Sequence, residues 1–142
     1  MGAFDRTDFA LGRFKSAREA YDKLVEEAEY EYGHDGYNGT ISTSGGFKIV
    51  KEHPRYGTKK FWKFVDNTMD GTKWDLWNCI EIKGAVLKAI KEKEGYKGKR
   101  NIKAFFFWGL AASWVRYTFV VCANKNTWNI KKKLIETYIL KE

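Results

Sequence analysis

The chain has 142 residues, a formal net charge of +8, 44% hydrophobic and 17% aromatic residues. That length fits one domain, residues 1–142, with a real core, and the apolar and aromatic content excludes a disordered chain. Twenty Lys against six Arg favour diffuse attraction to anions over bidentate reading of bases.

The charge is unevenly spread. Residues 1–47 carry a net −4 and residues 48–142 a net +12. The asymmetry predicts a basic face opposite an acidic one, and a basic face meets nucleic acid, a phosphorylated ligand or an acidic protein. Met1–Lys15 is interrupted by Asp5, Arg6, Asp8 and Arg13, so it does not read as a secretory leader. Cys79 and Cys122 each sit in apolar surroundings; a structural disulfide between them is one reading, and the preferred one is two reduced, buried thiols of a cytoplasmic protein.

Ser16 to Tyr32 is the clearest helix. Ala17, Ala20, Tyr21, Leu24, Val25, Ala28 and Tyr32 form one apolar stripe. Ser16 and Glu19 have capping-box spacing, and Gly33 is placed as the C-terminal stop. Residues 33–47 follow, dense in glycine and hydroxyl side chains. Gly36, Asn38 and Gly39 tolerate positive φ, so the backbone can turn N–H groups toward one point. Thr40, Ser42 and Thr43 add hydroxyl donors, and Tyr37 adds a stacking surface. Tyr37, Asn38, Gly39, Thr40, Ser42 and Thr43 are therefore candidate ligand-binding residues, although the loop lacks a Lys and has no Walker or dinucleotide spacing. The structural alternative is a pair of turns around a short strand, Thr40 to Thr43, with Gly45-Gly46 leading into Phe47–Val50.

Lys51 to Gly57 is a polar connection holding the only proline, Pro54. Thr58 then caps a short helix reaching Met69. Phe61, Trp62, Val65 and Met69 share its apolar face, with Lys59, Lys60 and Lys63 elsewhere. Interleaved Lys and aromatic side chains can stack bases and neutralise phosphates, but an amphipathic helix burying Phe61, Trp62 and Val65 explains the pattern as well. Asp70-Gly71 signals a turn. Trp74 to Lys83 alternates as a strand with one apolar face, and Val86, Leu87 and Ile90 fit a helix over 84–94.

Residues 83–100 carry a net +5. A solvated lysine run is the ordinary reading of such a segment. It also makes Tyr96, Lys97, Lys99, Arg100 and Lys103 candidate nucleic-acid contacts. Ile102 to Cys122 is the most apolar passage, but only twelve uncharged residues separate Lys103 from Arg116, too few for a membrane span of about 20. Its Phe, Trp, Val and Tyr content reads as two central strands, with Gly109–Ser113 bending the chain between them or kinking a single long one. Asn126–Lys141 closes the chain as a helix.

The fold these elements predict is α+β: a mostly antiparallel sheet of about four to five strands with helices on one face. Thr40–Val50, Trp74–Lys83 and the two strands of Ile102–Cys122 supply the sheet. Ser16–Tyr32 and Asn126–Lys141 supply the helices.

No spacing among His34, His53, Cys79 and Cys122 makes a zinc site, and no cofactor or nucleophile motif occurs. Asp66, Asp70, Asp75 and Glu81, with Glu81-x-Lys83 on a strand, allow a magnesium-dependent nuclease. The composition points first to a non-enzymatic, membrane-free binder of nucleic acid or a phosphorylated nucleotide. The alternative is a protein–protein inhibitor, such as a phage-encoded anti-defence factor using its charge to dock on a host complex, with an acidic protein as a partner.

Overall fold

Over its described part, the apolar run Ile102–Cys122 is a single strand with no bend at Gly109. In the computed structural model, which describes residues 2–69 and 76–113, Lys103–Ser113 (β4) runs unbroken through Gly109. It lies inside a four-stranded sheet whose other members are Gly2–Gly12 (β1), Phe47–Ile49 (β2) and Trp77–Ile82 (β3), in the order β1-β4-β3-β2. Gly109 is where the indole of Trp77 crosses the strand, and a Cβ there would penetrate that ring. Close approach, rather than a bend, explains the glycine.

β1 pairs antiparallel with β4 from Gly2–Ser113 to Gly12–Lys103. β4 pairs antiparallel with β3, and β3 pairs parallel with β2. The fold is α+β as expected, with a mixed sheet. Side chains alternate across β4. Phe105, Phe107 and Ala111 enter one core cluster with Trp77 and Cys79; Ala104, Phe106 and Trp108 enter another with Ile80 and Ile82. β3 is thus buried on both faces, where one apolar face was expected.

Helices cover both faces as well. Ala17–Tyr32 (α1) lays Ala20 and Tyr21 on the first cluster. Ser16 accepts the Glu19 N–H at its start, and Gly33 ends it at φ 86°. Lys59–Asn67 (α2), capped by Thr58, buries Phe61 and Val65 in the second cluster, where Gly84–Lys93 (α3) adds Val86, Leu87 and Ile90. The one-faced arrangement expected from the sequence is corrected on this point: the sheet is the middle layer of three.

Two further corrections are local. Thr40–Thr43 is not a strand; Ile41–Thr43 forms a single 3-10 turn, and only Phe47–Ile49 joins the sheet. β1 was not expected at all. The Asp70-Gly71 turn, the first residues of the Trp74–Lys83 strand, the second half of Ile102–Cys122 and the Asn126–Lys141 helix lie outside the described residues.

The topology orients the surface. β1, β2 and β3 run in the same direction, and β4 returns between β1 and β3. Each of the three parallel strands is followed by a helix, so α1, α2 and α3 all begin at the end of the sheet where those strands finish. Connections that start there line the usual crevice of sheets built this way. Among the described residues no helix is long and apolar enough to cross a membrane.

Candidate functional site

The two ends of the sheet carry the two sets of candidate residues. At the end where the parallel strands begin, the Gly/Ser/Thr loop is folded onto β4. The β3–β4 ladder stops at Asn78–Trp108. Beyond it, the exposed edge of β4 is closed by the Trp77 indole, which donates to Leu110 O at 3.1 Å, and by the loop itself. Gly39 N–H donates to Ala112 O at 2.8 Å, and Ala112 N–H donates to Thr43 Oγ1 at 3.0 Å. The Thr43 hydroxyl in turn donates to Thr40 O.

The rest of the loop is equally engaged. Asn38 donates to Gly33 O and Ser42 Oγ, and its carbonyl accepts both the Thr40 N–H and the Thr40 hydroxyl. Ser42 Oγ lies 2.7 Å from Thr40 Oγ1, and the Tyr37 N–H donates to Asp35. The structure does bring Tyr37, Asn38, Gly39, Thr40, Ser42 and Thr43 together. It commits the Gly39 N–H and the Thr43 hydroxyl, the donors a phosphate cradle needs, to the backbone of β4 and of the loop. Thr40 and Thr43 are buried.

The opposite end is different. The Gly12–Lys103 pair sets the residues that follow β1 beside those that precede β4. Arg13, Phe14, Lys15, Asn101 and Lys103 enclose a cleft of about 410 Å³. Three of the five are cations and none is acidic. Lys103 Nζ donates to Lys15 O at 3.1 Å, which fixes its ammonium at the mouth. Asn101 holds a positive φ of 63°, the single non-glycine residue to do so among those described; asparagine tolerates this region better than most residues. Phe14 forms the apolar wall and meets Phe105 edge to face, with 6.5 Å between centroids.

Of the basic residues singled out from the sequence, Lys103 lines this cleft. Tyr96, Lys97 and Lys99 form the adjoining turn, in which Lys99 Nζ lies 5.7 Å from the Tyr96 ring and Lys91 Nζ donates to Lys99 O. Arg100, exposed, leads into Asn101. Arg13 and Lys15 were missed, because they belong to the half of the chain with net negative charge.

A second cleft of about 260 Å³ opens at the same end, where Arg55, Tyr56 and His53 face Lys83 and Glu81. Lys83 and Lys103 each lie one residue outside the Ile82–Ala104 pair, and Arg13 lies one residue beyond Gly12. Adjacent strands are about 5 Å apart, so these cations form a row across the end of the sheet. The positive ends of three helix dipoles point the same way. Glu81, 4.0 Å from Lys83, is the acid in this row.

Groups suited to covalent chemistry are scarce among the described residues. Burial, with a smaller contribution from the Glu81 carboxylate, pushes the Cys79 thiol up to about 12, so it holds its proton at neutral pH. Burial also raises the Asp8 carboxyl from its ordinary value, against the opposing pull of Arg6 at 3.4 Å. His34 contacts Glu29 rather than Asp35. No three His, Cys, Asp or Glu among the described residues gather as a metal site. Asp66 is exposed on α2, and Asp70 and Asp75 lie outside the described residues. Comparison with protein-family models, with curated proteins and with solved structures gives no match.

Proposed function

We propose that the protein is a non-enzymatic binder of nucleic acid, gripping phosphates at the end of the sheet where β1, β2 and β3 finish. The observation that carries this reading is the cleft of Arg13, Lys15 and Lys103. Cations from segments roughly 90 positions apart converge there, and no acid is among the described residues that line it. Like charges gathered this way repel one another, and a bound anion relieves that repulsion. The row continues through Lys83 to Arg55, and the exposed Lys97, Lys99 and Arg100 extend it outward. A linear polyanion fits a row of cations better than a single phosphate does.

Oligonucleotide binding measured by fluorescence anisotropy over a series of salt concentrations tests this directly. Binding must weaken steeply with salt, each neutralised phosphate contributing about 0.7–0.9 to the log–log slope. Absence of binding at low salt overturns the reading. Thermal stabilisation by mononucleotides equal to that by an oligonucleotide would shift it to a small phosphorylated ligand.

A further inference from the structure

Helical spacing puts Trp62 on the buried face of α2, and the structure does not keep it there. Phe61 and Val65 are 0% and 3% exposed, whereas Trp62 is 41% exposed. The indole is nevertheless held. Phe61, Tyr56 and Phe106 all meet it edge to face, at centroid separations of 5.2, 5.6 and 5.5 Å and interplanar angles of 74°, 63° and 79°. Three tilted neighbours fix the orientation of the ring, and none of the three lies parallel on it. The arrangement is a rigid aromatic surface with uncovered area.

Its surroundings are cationic. Lys59, Lys60 and Lys63 are all exposed on the same two turns, and α2 holds no acid before Asp66. Tyr56 joins this surface to the basic end of the sheet, because it lines the cleft of Arg55 and Lys83 while touching Trp62. Phe9, 37% exposed, pairs with Phe106 across the β1–β4 ladder.

We infer that Trp62 is a stacking platform for a base of single-stranded nucleic acid whose phosphates run along Lys59, Lys63 and the Arg55–Lys83 cleft. The inference rests on the nucleic-acid reading above and narrows it to single strands. In a duplex each base face is covered by its neighbour, and a fixed indole on a helix surface cannot reach one. In a single strand every base offers a face, and stacking on a protein aromatic ring is sequence-tolerant. Flanking ammonium groups then neutralise the phosphates on either side of the stacked base.

The test uses the full chain and its Trp62→Ala and Trp62→Phe variants. Each is titrated with three probes of equal length: oligothymidylate, an abasic oligonucleotide and a duplex, at two salt concentrations. The expected result is that Trp62→Ala weakens oligothymidylate binding about tenfold at both salt concentrations. Abasic binding and the salt slope stay unchanged, and Trp62→Phe recovers most of the loss. Equal weakening toward the thymidylate and abasic probes overturns the stacking role, as does indifference of all three probes to the substitution. Either outcome, with abasic binding by the wild type intact, leaves the phosphate-binding reading standing and returns Trp62 to the category of a protein contact. A wild type that binds none of the probes overturns both readings. Undiminished abasic binding by Trp62→Ala, read beside its melting temperature, separates lost stacking from lost folding.

Discussion

The two ends of the sheet invite opposite conclusions from sequence and from structure. The loop after α1 holds the residue types from which phosphate cradles are made, yet its donors complete the β4 edge: Gly39 and Thr43 hydrogen-bond Ala112, and Asn38 holds Thr40 and Ser42 in place. The far end holds no recognisable motif, yet it collects Arg13, Lys15, Lys83 and Lys103 around two clefts. Ligand-type residues are informative only when their hydrogen-bonding capacity is left over after folding. Cations are the cleaner signal, because a lysine ammonium has little use inside a fold and is left at the surface to meet an anion.

The sharpest way to break this contrast is at Gly109, which supports the loop end from below. Gly109→Ala drives a methyl group into the buried indole of Trp77. Trp77 cannot yield without releasing its hydrogen bond to Leu110 and opening the first core cluster. Overpacking typically costs about 1–3 kcal/mol, and a clash with a fully buried ring lies at or above the top of that range. Urea denaturation should show a loss of at least about 3 kcal/mol. A variant as stable as the wild type would mean that the sheet and the loop end are not locked together as described.

The second largest effect is on binding alone. Replacing Arg13, Lys15 and Lys103 together by Gln should lower the salt slope by about 2–3 units, which at 0.1 M salt corresponds to an affinity loss of about 100-fold or more. Stability should change little, since Arg13 and Lys15 are exposed and the one Lys103 hydrogen bond is at the surface. An unchanged slope in a folded triple variant removes the cleft from the binding surface.

Much of the architecture was legible, for reasons that differ by element. α1 announces itself through a seven-residue apolar stripe with a Ser16 cap and a Gly33 stop, and the structure uses the cap, the stop and six of the seven stripe residues, leaving Tyr32 half exposed. α2 and α3 were legible for the same reason, down to the Thr58 cap. β1 was not. Among the described strands it lies at the edge of the sheet, and its two faces carry Asp5, Arg6, Thr7 and Asp8 among its apolar residues, so no alternation marks it. Such charges are what keep an exposed edge from pairing with other chains. The sheet is mixed because β2 follows a helix and enters beside β3 in parallel, a matter of topology that local patterning does not encode. The basic cleft was half legible. Lys103 stood out in a lysine-rich segment, but Arg13 and Lys15 are masked by the acidic helix that follows them, and only the Gly12–Lys103 register brings them together.

The loop end can be tested by a smaller change. Thr43 is 6% exposed and its hydroxyl stands between Ala112 N–H and Thr40 O. Thr43→Val preserves shape and leaves the Ala112 N–H buried without a partner. A cost of about 1–3 kcal/mol is expected, read as a lower denaturation midpoint. Affinity for an oligonucleotide should not move. Lost binding with stability intact would restore the loop as a ligand site and reverse the comparison of the two ends.

The smallest predicted effect separates the cleft from its approach. Lys97 and Lys99 are exposed on the turn after α3, where Lys99 lies over Tyr96 and its carbonyl accepts from Lys91. No carboxylate among the described residues holds either ammonium, and each reaches solvent on a flexible stem. Such charges raise the local anion concentration and speed encounter more than they hold a bound phosphate. The double substitution Lys97→Gln and Lys99→Gln should therefore slow association, most visibly at low salt, and lower the salt slope by less than about 1 unit. Stopped-flow association rates alongside equilibrium titrations distinguish the two contributions. A slope change equal to that of the Arg13, Lys15 and Lys103 triple variant would make the turn a full part of the grip, because two freely hydrated lysines would then neutralise as much phosphate charge as three cations gathered around a cleft.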